Sequence, residues 1–251
     1  MYTNIVTILS ILGLAQAHLH LDYPPTLLGD NNPFTPEGKA DPYLNYPYGC
    51  CGQTVTALCK GHLDLLDQPE GQPVVTWAPG QKANFSVSGH RINSPQENPV
   101  GGTHAGGSAQ IGISLDQGKT FKVIKTWQGN FPHHDKAESL DPADHTYDFV
   151  VPADLPAGKA VFAWTWINRE QEFNMNCASR NLERSEALKA PHRRAEAVAF
   201  SARPEMSLNI DLPGSECKSP GNPAELRFPN PGPDVVEKDG NDGYELVEPT
   251  C

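Results

Sequence analysis

The stretch Val161-Phe162-Ala163-Trp164-Thr165-Trp166-Ile167 decides the fold. Successive side chains of a strand point to opposite faces, and here both faces are apolar or aromatic, with Thr165 the one polar exception. Such a run predicts a central strand covered on both sides. Shorter runs of the same character stand at 74–77, 83–88, 110–115, 121–126, 146–151 and 195–201, each bounded by turn residues. Asp116-Gln117-Gly118 joins 110–115 to 121–126 as a hairpin loop. Short strands at this spacing predict an all-β fold, an immunoglobulin-like or fibronectin-like β-sandwich.

The rest of the 251 residues agrees with that class. The chain is 38% apolar, enough to feed a core, while its 22 Gly and 24 Pro argue against long helices. Only 182–189 reads as a short helix. Residues 19–73 are rich in Pro, Tyr, Asn and Gly and read as long loops pinned by disulfides. From residue 213 onward Pro, Gly and acidic residues dominate, which suggests an extended tail tied back through Cys217 or Cys251. The organisation expected is a signal peptide at 1–17, one domain at 18–236 and an acidic tail at 237–251.

A formal charge of −11 with no basic patch argues against a nucleic-acid partner. The one long apolar run, 5–14, is too short to span a bilayer, so no integral membrane protein is expected. Followed by Ala15-Gln16-Ala17, it reads as a secretory signal whose cleavage leaves His18 as the first residue. Secretion allows disulfides, and the six cysteines are an even set. The neighbours Cys50 and Cys51 are expected to bond to different partners. No Cys-x-x-Cys pair supports a zinc ribbon or a thioredoxin-like site. Asn84-Phe85-Ser86 is a glycosylation sequon suited to a surface position.

An N-terminal histidine offers an amine and an imidazole on one residue, enough to close a chelate around a metal. A second imidazole would complete three nitrogens in one plane, a donor set that favours Cu(II). His104 is the candidate, because Gly101-Gly102-Thr103-His104-Ala105-Gly106-Gly107-Ser108 is a glycine-dense loop directly before a strand. The remaining histidines read more plainly. His20 is a surface residue, His133-His134-Asp135 a solvated loop, and His62, His90, His145 and His192 carry no spacing signal.

Residues 160–178 read Ala-Val-Phe-Ala-Trp-Thr-Trp-Ile-Asn-Arg-Glu-Gln-Glu-Phe-Asn-Met-Asn-Cys-Ala. With His18, the His104 loop and Phe228-Pro229-Asn230-Pro231-Gly232-Pro233, this resembles the fungal lytic polysaccharide monooxygenases. Within them it is most similar to auxiliary activity family eleven, the chitin-active group, from His18 to about Val236. The resemblance implies a brace of His18 and His104 on one copper ion. It puts Phe173 on the axial side of that metal, where the family usually has Tyr, and Gln171 at a polar position beside the oxygen-binding side. It leaves Glu172 and Arg169 as surface charges and Trp164 and Trp166 as core. It pairs Cys59 with Cys177, and Ala109 and Asn130 stand where the family often has a further disulfide.

The function so implied is a secreted copper monooxygenase, working as a monomer on crystalline β-linked polysaccharide, chitin above all. An external reductant and dioxygen or hydrogen peroxide are the co-substrates. The alternative is a secreted copper-binding protein with the same brace and no oxidative activity. A third reading is a carbohydrate-binding or wall module in which His18 is incidental.

Overall fold

In the computed structural model, residues 18–92, 106–184, 198–239 and 242–251 are described. The strands are β1 (His20–Tyr23), β2 (Val75–Trp77), β3 (Lys82–Ser88), β4 (Ser108–Ser114), β5 (Lys122–Gln128), β6 (Thr146–Val150), β7 (Gly158–Ile167), β8 (Phe173–Leu182), β9 (Ala224–Leu226), β10 (Val235–Glu237) and β11 (Glu245–Val247). They form a three-stranded sheet ordered β1-β3-β6, a six-stranded sheet ordered β10-β5-β4-β7-β8-β2, and the small pair β11-β9. The strand read as central is central: β7 runs antiparallel between β4 and β8.

Alternation along β7 explains why it is apolar throughout. Phe162, Trp164 and Trp166 point towards the three-stranded sheet and meet Leu19, Leu21, Phe85, Val87, Tyr147 and Phe149. Val161, Ala163 and Ile167 point the other way, into a second core with Tyr48, Phe173, Met175, Met206 and Phe228. Two sheets thus enclose one core, and long loops cover the outer face of the larger sheet with another. An all-β sandwich is the result.

Several expectations change. The run 195–201 is not a strand: Phe200–Ala202 is a 3-10 turn whose ring joins the core between the sheets, and 195–197 lie outside the described residues. The helix expected at 182–189 does not begin where it should, because Leu182 is the last residue of β8; from 185 the segment lies outside the described residues. The loop region 19–73 holds β1 and 3-10 turns at Pro42–Asn45, Leu58–Gly61, Leu63–Asp67 and Pro69–Gly71.

Cys59 bonds Cys177 and so fastens these turns to β8, as the family resemblance implies. Cys217 bonds Cys251 and ties back the C-terminal segment. Cys50 and Cys51 bond each other, against the expectation of separate partners. The other four cysteines are already committed to one another, which leaves the neighbours only themselves. Asn84 of the sequon is exposed on β3, opposite Asp148 of β6.

Candidate metal centre

His18 is buried just before β1, and one side chain holds its main chain in place. Asn45 Nδ2 donates to the His18 carbonyl at 2.9 Å and to the His90 carbonyl at 2.8 Å, and lies 2.9 Å from His20 Nδ1. Asn45 Oδ1 accepts from Ile92 N at 2.9 Å. Asn45 ends the 3-10 turn Pro42–Asn45, which Asp41 caps by accepting from Tyr43 N. The next residue, Tyr46, packs edge-on against the His18 ring, centroids 4.2 Å apart. His20, read as a surface residue, is buried instead, and burial pushes its imidazole down to about 4. A neutral ring suits a nitrogen facing the Asn45 amide.

Beneath β1 lies β8. Asn176 Oδ1 accepts from Leu21 N at 2.8 Å, and its Nδ2 donates to the Leu44 carbonyl at 3.1 Å. Tyr48 N donates to the Phe173 carbonyl, so residues 44–48 run along the edge of this strand.

His104 lies outside the described residues. The chain is described again from Gly106, where two contacts clamp it. Trp166 Nε1 donates to the carbonyls of Gly106 and Phe131, and Gly107 N donates to Glu225 Oε1 at 2.9 Å. Gly107 has φ +97°, and a Cβ there would lie 2.3 Å from the Ile167 carbonyl oxygen, so only glycine fits.

The other site candidates fall elsewhere. The Phe173 ring turns into the second core against Tyr48, centroids 5.3 Å apart, on the face of β8 opposite to Asn176. Gln171 is exposed at φ +61°, and its amide donates to the Ser219 carbonyl. Trp164 and Trp166 are fully buried, as core residues should be. Arg169, read as a surface charge, has its guanidinium 3.9 Å over the Tyr244 ring and its Nε 3.9 Å from Glu225. His134, read as solvated, lies between Glu225 (3.5 Å) and Asp242 (3.6 Å). Lys238 already holds Glu225 at 3.2 Å, so this trio is an ion network with its own cation. The signal missed was long-range: Glu225 stands in a short β9 with no motif around it.

Near His18, potential ligand atoms of Cys50 and Cys51 lie within 4.8 Å of its imidazole. Both sulfurs are spent on a disulfide and offer no thiolate. What this place gives a metal is nitrogen: the His18 imidazole and the amine that cleavage after Ala17 would free. That donor set fits Cu(II) better than the thiolate-loving ions.

Over 180 residues the chain is 32% identical to AA11 family lytic polysaccharide monooxygenase A of Aspergillus fumigatus, covering 71% of this chain and 70% of that protein. The chain belongs to the AA11 family of lytic polysaccharide monooxygenases. A second A. fumigatus relative, monooxygenase B of the family, is 32% identical over 153 residues; the match takes in 55% of this chain and 35% of that protein. Among solved structures, a cellulose-active polysaccharide monooxygenase from M. thermophila matches at 14% identity and TM-score 0.33, over 53% of this chain and 60% of that one. No family model matches the chain. As an AA11 monooxygenase the protein is an oxidoreductase, of a class that oxidises polysaccharide with copper.

Proposed function

We propose that this AA11 monooxygenase is secreted, holds one copper ion between His18 and His104, and cleaves crystalline β-linked polysaccharide, with chitin as the substrate. The observation that carries the reading is His18 itself. The residue that signal cleavage would make N-terminal is the one whose carbonyl and ring are fixed by Asn45 and Tyr46. Removing residues 1–17 turns its amide nitrogen into an amine, and amine and imidazole then chelate one metal. Copper, reduced by an external donor, supplies the one-electron chemistry by which dioxygen or hydrogen peroxide hydroxylates a carbon at the glycosidic bond. Cleavage by this route needs no pair of carboxylates flanking the bond, unlike ordinary glycoside hydrolysis.

The chain's own part is placement. Asn45 holds the His18 main chain, and the Trp166 and Glu225 contacts fix Gly106 and Gly107, two and three residues beyond His104 and just before β4. Rigid support of this kind keeps a metal site in its productive shape. Gln171 is assigned to the oxygen side of the metal, a role that requires its amide to leave the Ser219 carbonyl. Phe173 supports β8 from the opposite face. Among the described residues no helix is long and apolar enough to cross a membrane, and the protein is assigned as a monomer in the extracellular space.

The test is mass spectrometry of soluble products from chitin, cellulose, xylan and pectin, using mature copper-loaded protein with reductant and peroxide. Oxidised chito-oligosaccharides are expected. Oxidised products from cellulose alone would replace the substrate and keep the chemistry. Copper binding with no oxidised product from any of them would favour a copper-binding protein without oxidative activity.

A further inference from the structure

Of the three disulfides, Cys59–Cys177 spans 118 residues and Cys217–Cys251 spans 34, so each removes much freedom from the unfolded chain. Cys50–Cys51 links neighbours, and a loop that short has almost no freedom to remove. It is also open to attack. Cys51 is exposed and Cys50 half-buried, whereas the other two bonds each bury at least one partner. Cys51 stands at φ +60°, in the left-handed region that residues with a Cβ seldom adopt. A costly backbone state kept for a bond that stabilises little points to chemistry.

The neighbour of the bond says which chemistry. Cys51 Sγ lies 3.9 Å from His18 Nε2, and one donor atom from each of His18, Cys50 and Cys51 falls within 4.8 Å of the others. An amine and a ring nitrogen of one histidine can chelate a single ion only through Nδ1, so Nε2 is on the other edge of the ring from the proposed brace. A three-coordinate ion with bonds of about 2.0 Å to nitrogen and about 2.3 Å to sulfur holds those two atoms about 3.7 Å apart. The gap between Cys51 and His18 is close to that. Once the disulfide opens, the Cys50 sulfur can swing to the third corner.

We infer that Cys50, Cys51 and His18 Nε2 form a redox-gated site for a soft ion, Cu(I), closed while the disulfide is intact and opened by a thiol reductant. Two reductant thiols give up two electrons and two protons. The Cys50–Cys51 bond breaks, and a disulfide forms between the reductant's sulfurs. Cu(I) then replaces the two cysteine protons. Thiolates select this ion, and it accepts three donors where Zn(II) in a closed site takes four. Such a site goes beyond the monooxygenase reading and needs neither a free amine at His18 nor His104.

The test counts Cu(I) per chain, without oxygen and against a colorimetric chelator, before and after treatment with a dithiol that is then removed. Limited reduction, alkylation and mass spectrometry should label Cys50 and Cys51 ahead of the other four cysteines. The reduced protein should hold one Cu(I) more than the oxidised protein, and its copper X-ray absorption should show sulfur neighbours that the oxidised protein lacks. Cys50→Ser combined with Cys51→Ser should gain no ion. His18→Gln should keep the sulfur neighbours and hold the added ion at least about tenfold more weakly. Equal Cu(I) content in the two oxidation states overturns the site, as does an added ion that the double serine variant also gains. Labelling of Cys59 and Cys177 first overturns the gate, and an added ion held as tightly in His18→Gln overturns the part given to Nε2. Failure of the brace at His18 and His104 shows differently, as an oxidised protein that binds no copper.

Discussion

Asn45 illustrates how much of the centre depends on single residues that carry no motif. It sits in a Pro- and Tyr-rich loop, and nothing about its neighbours sets it apart. In the fold its amide ties His18, His20, His90 and Ile92 together. The sequence proposes His18 from the cleavage site and His104 from its glycine loop, because both signals are local. The polar groups that aim His18 come from distant parts of the chain and give no such signal. Asn45→Ala leaves several buried groups unbonded and should cost about 3 kcal/mol of stability, with copper affinity falling at least about tenfold. Urea unfolding and copper calorimetry on the mature protein check both effects; unchanged copper affinity would show that Asn45 does not position His18. Lys60 is a second residue of this kind. Its ammonium is buried against Tyr48 at 4.0 Å, donates to the Tyr46 carbonyl, and is pushed by burial from 10.5 down to about 7. Between those two values the unfolded chain binds more protons than the folded one, so stability rises with pH. The contribution is lost as pH falls from 10.5 towards 7, at no more than about 1.4 kcal/mol per pH unit. Lys60→Met should flatten this slope in urea midpoints taken at pH 7, 8 and 9. A variant that keeps the wild-type slope would place its origin elsewhere.

The elements divide by how local their signal is. Strands β2 to β7 were readable because apolar and β-branched residues recur at strand spacing between turn residues. The ten-residue β8 was not recognised as a strand, since Asn174, Asn176, Ser179, Arg180 and Asn181 make it look polar. Four of the five are buried, Asn181 being half-buried, and Asn176 shows what such a group does: it holds β1 and the turn before Asn45. The short β9, β10 and β11 pair in parallel with strands remote in sequence, and no local pattern announces such contacts. The hairpin of β4 and β5 was anticipated, but its register shifts between Ile111 and Gly112. Gly112 stands at that shift, and a side chain there meets its neighbours. A Cβ at Gly112 would lie 2.4 Å from Met206 Sδ and 2.8 Å from the Lys122 carbonyl oxygen. The sulfur is on a flexible side chain and yields, whereas the carbonyl belongs to the paired strand and does not. Gly112→Ala should therefore destabilise the protein by about 1–3 kcal/mol in urea unfolding. Adding Met206→Ala should not restore it; full recovery in the double variant would assign the whole clash to Met206.

At the scale of the molecule, the C-terminal segment is a strap rather than a loose end. β10 extends the larger sheet beside β5, β11 pairs with β9, and Cys217–Cys251 closes the return. The strap meets the sandwich at Glu225, a fully buried carboxylate. It accepts from Gly107 N and Asn130 N and pairs with Lys238, itself only 6% exposed. Several segments thus converge on one charge carried by β9: the lead-in to β4, the turn at Asn130 with His134, Arg169 after β7 and the chain after β10. A buried pair of this kind contributes little net stability, yet removing one partner strands the other charge. Glu225→Ala should accordingly cost about 3–5 kcal/mol, because Lys238 loses its carboxylate and two backbone donors lose their acceptor. Lys238→Met alone should cost a similar amount, by leaving Glu225 without its nearest cation. Combining Lys238→Met with Glu225→Gln removes both charges while an amide oxygen still serves the backbone donors. That double variant should unfold within about 1–2 kcal/mol of wild type. The cycle is read from urea midpoints of the disulfide-intact protein. Additive losses would mean that the two charges do not act as a pair and that the strap is held by its disulfide and strand pairing alone.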